Sequence, residues 1–294
     1  MTEPFAGQTV ESARRMLAAR LTARAIESAE LDARLLSGAV LGLDLTGLIT
    51  AASRRLTDDE AARLDHLACR RELGEPVARI LGVKEFWGLP LALTAATLVP
   101  RPDTETIVEA ALEMLPAKQH HGRRLRIADI GTGSGAILLA LLSEWPNAWG
   151  VGTDISEAAL QTARANARQL GLVRRAAFVA CDYAAALSGA FDLIVANLPY
   201  IRSDDIGALP TEVRDHDPRR ALDGGADGLD GYRIIAPEAA RLLVPGGCVV
   251  LEVGHDQSCD VEALLTTAGL NLPGEPKADL AGIRRAVVGR NLPL

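Results

Sequence analysis

Apolar residues recur three or four positions apart through the N-terminal quarter of the chain, with charged residues between them. This spacing is typical of amphipathic helices and predicts helices over Val10–Leu21, Ser28–Leu41 and Asp58–Leu73. Thr57 and Glu60 form a capping-box pattern that marks the start of the third helix. We therefore expect residues 1–75 to form a small helical domain, and we interpret it as a substrate-docking domain.

After the helices, the apolar residues fall in short runs that are typical of β-strands. Three strands are predicted, with a hairpin turn at Gly88 and Pro90: Val77–Val83, Lys84–Trp87 and Leu89–Thr94. We expect residues 76–97 to be a β-hairpin linker that leads into a catalytic domain over residues 98–294.

Strands and helices alternate from Leu125 onward. Strands are predicted at 125–130, 149–153, 176–180, 191–196, 248–253 and 285–289, and helices at 135–144, 157–170, 231–243 and 261–268. Strands separated by helices indicate an α/β fold with a mostly parallel sheet covered on both faces. Such sheets bind ligands at the carboxyl ends of their strands, where Gly131, Asp154, Asp182 and Asn197 fall.

The segment that follows the first of these strands has the pattern of a nucleotide cradle. Its alternating glycines permit a sharp turn and a close approach of ligand to backbone. The candidate cofactor contacts of this loop are Gly131, Thr132, Gly133, Ser134 and Gly135. About twenty residues further on, Asp154 is placed to hold a pair of ribose hydroxyls.

The glycine spacing is compatible with NAD as well as with S-adenosylmethionine. Asp129, two residues before Gly131, favours the second. Its carboxylate would repel a pyrophosphate, whereas it would attract an ammonium group. S-adenosylmethionine carries an ammonium and a sulfonium and has no phosphate, so the residues favour it, and NAD stays as the alternative.

The composition of the chain argues against several classes of binding partner. The 294 residues carry a formal net charge of −7, which is a poor match for a protein that grips many nucleic-acid phosphates. No apolar run has the length of a membrane span. The four cysteines are scattered, and His120 and His121 lie in a polar stretch, so we expect reduced thiols and no metal site. These features indicate a cytoplasmic protein, and we expect a monomer.

The strand at 191–196 leads directly into Asn197, Leu198, Pro199 and Tyr200. A planar amide or ring-attached nitrogen is a weak nucleophile, because its lone pair is delocalised. The Asn197 side-chain oxygen and the backbone carbonyl of residue 198 could accept both N–H bonds of such a nitrogen and favour the charge that develops on it. Pro199 restrains the backbone, and Tyr200 offers an aromatic face for stacking. We interpret these four residues as the substrate site, with Asn197, Pro199 and Tyr200 as catalytic residues.

These motifs resemble those of class I S-adenosylmethionine-dependent methyltransferases with an Asn-Pro-Pro-Tyr motif. The segments Gly74–Gly82, Glu85–Gly88 and Pro100–Glu105 (Pro-Arg-Pro-Asp-Thr-Glu) resemble the HemK/PrmC family, and the similarity covers essentially the whole chain. The resemblance implies a Rossmann-like sheet with a last antiparallel strand. It also implies methylation of the glutamine side-chain amide in the Gly-Gly-Gln motif of peptide chain release factors. By position, cofactor contacts fall on the glycine loop, Asp154, Asp182, Tyr183 and Asn197.

The chain departs from the family at two positions. Leu198 replaces a proline, which removes one rigid φ angle and adds a side chain that needs space. Tyr183 stands where the family usually has tryptophan. Because the carbonyl of residue 198 and Pro199 are retained, we expect methyl transfer to be retained.

Other functions stay open from the sequence. The same reaction could act on a ribosomal-protein glutamine. An amino-methyltransferase of adenine or guanine would use a similar motif, although the chain lacks a basic stripe. A non-catalytic S-adenosylmethionine-binding module and an NAD oxidoreductase are the remaining alternatives.

Overall fold

The computed structural model of this protein describes residues 4–116 and 124–292, so His120 and His121 lie outside the described residues. The chain divides into two compact units. Unit 1 is Met1–Gly82 with Pro210–His216, and unit 2 is Val83–Leu209 with Asp217–Leu294.

Unit 1 is helical. Its helices are α1 (Val10–Ala23), α2 (Ala29–Leu41), α3 (Leu45–Thr50), α4 (Asp58–Glu72) and α5 (Val77–Leu81). The three long helices confirm the predictions from periodicity. The capping box also forms, because the Thr57 hydroxyl accepts from the Glu60 amide while the Glu60 side chain accepts from the Thr57 amide. Helix α3 was not predicted, since six residues are too few to establish a period.

The predicted strand at Val77–Val83 is wrong, because Val77–Leu81 is a helix. Pro76 precedes its first turn, and Gly82 ends it with a left-handed φ of 69°. Ile80 is buried in the core of unit 1. Branched side chains suggested a strand, and helical packing against this core outweighed that preference.

The hairpin at the start of unit 2 is confirmed, with β1 (Val83–Phe86) antiparallel to β2 (Leu89–Ala92). Its turn lies one position earlier than predicted. Trp87 and Gly88 both have positive φ, which is the geometry of a two-residue turn, and Pro90 lies inside β2 opposite Glu85.

A seven-stranded sheet forms the rest of unit 2, in the order β5-β4-β3-β6-β7-β9-β8. The strands are β3 (Arg126–Ile130), β4 (Trp149–Asp154), β5 (Ala176–Ala180), β6 (Phe191–Ala196), β7 (Leu243–Glu252), β8 (Lys277–Ala278) and β9 (Arg284–Arg290). The helices are α6 (Glu105–Met114), α7 (Ala136–Glu144), α8 (Glu157–Gln169), α9 (Thr211–Arg214, part of unit 1), α10 (Asp230–Leu242) and α11 (Ser258–Thr267). Strands β3 to β7 pair in parallel, and β9 is antiparallel to β7, as predicted.

The sheet is buried on both faces, which explains why its central strands are mostly apolar. Every residue of Phe191–Ala196 is buried, and two separate apolar clusters lie on the two sides of the sheet. Strand β3 pairs with β4 on one side and with β6 on the other. The chain therefore reverses its winding direction at β3, and a crevice opens at the carboxyl ends of β3, β4 and β6.

Within the described residues, we searched for membrane-spanning helices, metal sites and disulfides. None of their helices combines the length and apolarity needed to cross a membrane. No three His, Cys, Asp or Glu residues among them are grouped so that they could hold a metal ion. The four cysteines are free thiols.

A buried ion pair connects the segments of unit 1. The Arg71 guanidinium donates to Asp32 at 2.6 Å and to Glu212 at 2.5 Å, so the segment 210–216 joins α2 and α4 through one cation. The Arg71 and Asp32 side chains are 3% and 7% exposed, which makes the loss of either partner costly.

We expect Arg71→Ala to lower the free energy of unfolding by about 3 kcal/mol, because it leaves the Asp32 carboxylate buried without its cation. Arg15→Ala is the matched control, since Arg15 forms an exposed pair with Glu11 and should cost under about 1 kcal/mol. Urea unfolding followed by circular dichroism measures both. Equal losses in the two variants would contradict this role of Arg71.

Candidate active site

A cavity of about 310 Å³ opens where β3, β4 and β6 end. The sequence-predicted residues on its wall are Gly131, Thr132, Gly133, Ser134, Asp154, Asp182, Tyr183, Asn197, Leu198 and Pro199. Three other predicted residues do not line the cavity: Asp129, Gly135 and Tyr200. The fold thus brings residues from four strand ends to one cavity.

The glycine loop between β3 and α7 adopts backbone angles that other residues rarely take. Gly131, Gly133 and Gly135 have φ values of 72°, 54° and 84°. The loop also sits directly on β4: a Cβ added to Gly152 would lie 2.7 Å from Thr132 Oγ1 and 2.9 Å from its Cβ. A bare backbone in β4 therefore makes room for the loop, a requirement that sequence analysis missed.

Asp129 supports the loop from below. Its Oδ2 accepts from the Thr132 hydroxyl at 2.6 Å and from the Leu138 amide at 3.3 Å, so it ties the end of β3 to the first turn of α7. Its Oδ1 is buried without a hydrogen-bond partner. Burial raises the pKa of this carboxyl to about 7, although both hydrogen bonds oppose the rise. Asp129 is 1% exposed and does not line the cavity. A direct contact between its side chain and the cofactor stays a prediction.

Asp154 and the Asp182–Tyr183 turn line the cavity next to the glycine loop. The two Asp154 oxygens accept from the Gly133 amide at 2.9 Å and the Ser156 amide at 2.8 Å. Tyr183 has a positive φ of 42°, and its carbonyl accepts from the Thr153 hydroxyl at 2.7 Å. These bonds hold a carboxylate and an aromatic ring beside the glycine loop.

Asn197 is held by one hydrogen bond from its amide nitrogen. Nδ2 donates to the Thr104 hydroxyl oxygen at 3.2 Å. That bond leaves Oδ1 as an acceptor on a residue that lines the cavity. Thr104 also lines the cavity and is 3% exposed.

The Leu198 side chain fills a space that two glycines leave open. Cβ atoms added to Gly131 and Gly231 would lie 3.6 Å and 3.1 Å from its methyl groups. Leu198 is 2% exposed and belongs to the apolar cluster that includes α10. The motif backbone is therefore restrained by packing at the position where the family has a proline ring.

Tyr200 points away from the cavity wall toward β7. Its hydroxyl donates to Glu252 Oε1 at 3.4 Å. Burial raises the pKa of this phenol, and the Glu252 carboxyl adds to the rise, so the hydroxyl keeps its proton. The ring supports the motif from behind in this arrangement.

Sequence analysis missed several residues on the wall: Ala96, Ala136, Ile137, Ile155, Ser156, Arg220, Ala221 and Asp223. The last three come from the long segment after the motif, which folds back so that Ile201 pairs with Asp223 and the Ser203 hydroxyl donates to Asp223 at 2.6 Å. Leu98 and Pro100 also line the cavity. Pro100 and Pro102, which stiffen this segment before α6, were the signal in the sequence that could have identified it.

Family comparison agrees with the two-part organisation. Residues 12–82 match the PrmC N-terminal domain, and residues 121–265 match a methyltransferase domain. A methyltransferase from Pyrococcus furiosus has a similar fold, with a TM-score of 0.51, 18% identity and coverage of 70% of this chain and 90% of that chain.

Two curated relatives are similar along nearly the whole chain. The release factor glutamine methyltransferase of Bradyrhizobium diazoefficiens is 61% identical over 293 residues, which is 100% of this chain and 98% of the relative. The enzyme of the same name from Rhodospirillum rubrum is 52% identical, over 92% of this chain and 82% of the relative. With its PrmC N-terminal domain, its methyltransferase domain and this identity, the chain belongs to the release factor glutamine methyltransferase family.

Proposed function

We propose that this protein transfers a methyl group from S-adenosylmethionine to the side-chain amide nitrogen of the glutamine in the Gly-Gly-Gln motif of peptide chain release factors. The observation that carries the proposal is the Asn197 amide, held through Nδ2 so that Oδ1 is free at a cavity beside the glycine loop. A cytoplasmic, monomeric enzyme is part of the proposal, because its substrate belongs to the translation machinery.

The residues of the cavity fit S-adenosylmethionine better than a dinucleotide. The left-handed glycines leave the loop backbone open to a ligand. The carboxylates of Asp154 and Asp182 line the wall, and that of Asp129 lies beneath the loop. Three carboxyl groups disfavour a pyrophosphate and favour a ligand with cationic groups.

S-adenosylmethionine supplies, when bound, an electrophilic methyl group on a positively charged sulfur. The protein positions the nucleophile: Asn197 Oδ1 and the backbone carbonyl of Leu198 accept the two N–H bonds of the glutamine amide. Both acceptors become more favourable as the nitrogen gains positive charge, so they stabilise the transition state more than the bound substrate. The methyl group would pass from the sulfur to this nitrogen while the C–S bond electrons stay on the sulfur, and the nitrogen, held by Asn197 Oδ1 and the Leu198 carbonyl, would then release one proton to solvent.

The direct test is methylation of a release factor, located by mass spectrometry on the glutamine of its Gly-Gly-Gln motif. Asn197→Ala should lower single-turnover rates about a hundredfold, because it removes one preorganised acceptor. Leu198→Pro is the matched comparison: it keeps both acceptors and removes a buried side chain, so it should stay within several-fold of the wild type.

The outcomes test the role of Asn197 and the identity of the substrate separately. An Asn197→Ala enzyme as fast as the wild type would contradict the role of the side-chain acceptor. A wild type that methylates a ribosomal protein or a nucleobase, and leaves the release factor unmodified, would contradict the proposed substrate.

Gly152→Ala should weaken binding of S-adenosylhomocysteine at least about tenfold, because the added methyl group displaces Thr132 and with it the glycine loop. Calorimetric titration measures the affinity. Gly274→Ala is the control, since a Cβ there meets nothing within 4 Å. Unchanged affinity in Gly152→Ala would show that the loop does not depend on this packing.

The helical unit is proposed to dock the release factor through apolar side chains on α2 and α3. Leu31, Leu35, Leu45 and Ile49 are 45–70% exposed, and removing such side chains from water favours association. Ile49→Lys should raise KM for the intact release factor several-fold and leave kcat unchanged. Leu280→Lys, on a fully exposed leucine of unit 2, is the control. Equal KM values would contradict docking at this surface.

A further inference from the structure

A glycine segment at residues 224–228 lies directly against the backbone of the motif that follows β6. A Cβ added to Gly224 would lie 2.6 Å from the Pro199 carbonyl oxygen and 2.8 Å from the Tyr200 Cα. A Cβ added to Gly228 would overlap the Tyr200 carbonyl oxygen. These approaches are closer than a side chain permits, so the bare glycine backbone is what lets the segment and the motif touch.

The side chain of Gln257 joins this segment to the motif. Gln257 immediately precedes α11 and is 4% exposed. Its Nε2 donates to the Tyr200 carbonyl at 2.9 Å and to the Gly228 carbonyl at 3.2 Å, and its Oε1 accepts from the Gly254 amide at 3.0 Å. A reversed amide would direct its oxygen at two carbonyl oxygens, so these three partners fix its orientation.

Backbone hydrogen bonds anchor the glycine segment on both sides. The Ile201 amide donates to the Leu222 carbonyl at 2.9 Å, and the Gly224 amide donates to the Ile201 carbonyl at 2.8 Å. The Asp230 amide, at the start of α10, donates to the Gly224 carbonyl at 3.1 Å. Because the segment is tied to the chain that leaves the motif and to a helix, it can restrain the motif that lies against it.

This restraint bears on the Leu198 carbonyl, the backbone acceptor of the proposed reaction. The direction of a backbone carbonyl follows from the φ and ψ angles around it, and Leu198 lacks the ring that would fix its own φ. The next two residues are the ones that the glycine segment and Gln257 contact. Gly224, Gly228 and Gln257 do not line the cavity, so any effect on the reaction passes through the motif.

We propose that Gln257 and the glycine segment position the motif backbone, so that the Leu198 carbonyl keeps its direction toward the substrate amide nitrogen. Gln257 is thus a positioning residue that acts through the Tyr200 carbonyl, outside the cavity. This inference rests on the proposed function, because the Leu198 carbonyl is an acceptor there for the amide that is methylated.

Two substitutions remove the restraint in different ways. Gln257→Met keeps the length of the side chain and removes its hydrogen bonds, and Gly224→Ala brings a methyl group against the Pro199 carbonyl. We expect each to lower kcat at least about tenfold, with KM for the release factor and affinity for S-adenosylhomocysteine within about threefold of the wild type. Gly207→Ala is the matched control, since Gly207 lies in the same long segment after the motif and a Cβ there meets nothing within 4 Å.

A rescue experiment separates positioning from a loss of stability. Adding Leu198→Pro to Gln257→Met should raise kcat at least about threefold over Gln257→Met alone, because the proline ring restrains the backbone that Gln257 no longer holds. A loss of stability would not be recovered in this way, since Leu198→Pro also removes a buried side chain. The affinity for S-adenosylhomocysteine, measured by calorimetric titration, shows that the cavity is folded in each variant.

The results that overturn the inference differ from those that overturn the proposed function. Wild-type kcat in Gln257→Met or Gly224→Ala, or no recovery on adding Leu198→Pro, would overturn the positioning role while release factor methylation stands. Equal losses in kcat and in S-adenosylhomocysteine affinity would overturn it too, because they would show damage to the whole cavity. A wild type that leaves the release factor unmodified would overturn the proposed function and the role of the Leu198 carbonyl with it.

Discussion

The parallel pairing of β3 with β4 on one side and β6 on the other is the constraint on which the site depends. Parallel strands end at the same edge, so this register brings the glycine loop, Asp154 and Asn197 together although they are far apart in sequence. The pairing requires strands buried on both faces, and β6, in which every residue is buried and all but Asp192 are apolar, supplies one. Close packing completes the arrangement, because Gly152 in β4 allows Thr132 to lie against the sheet.

Buried carboxyl groups support the cavity from two sides. Asp129 lies under the glycine loop, and Glu252 lies behind the Asn197 motif. Burial raises the pKa of each to about 7, and each retains one oxygen without a hydrogen-bond partner. Neither group lines the cavity, so their contribution is to hold neighbouring groups in place.

Much of the fold was predictable, because its determinants are local. Helices α1, α2 and α4 follow from apolar spacing, and the alternation of strands and helices indicates the parallel sheet. Two local predictions failed. The helix at Val77–Leu81 depends on burial of Ile80, and the hairpin turn depends on Trp87 adopting a positive φ that its residue type does not suggest.

The sequence by itself determined the order of the elements, the glycine loop, the strand-end residues Asp154 and Asn197, and the motif that follows β6, because each is a short-range pattern. Tertiary structure alone decided what lies behind them. The space for Leu198 exists because Gly131 and Gly231 each lie against its side chain without a Cβ of their own, and Thr104 and Glu252 hydrogen-bond Asn197 and Tyr200, respectively, from other elements. Such contacts join residues about thirty to ninety positions apart, and no periodic pattern encodes them.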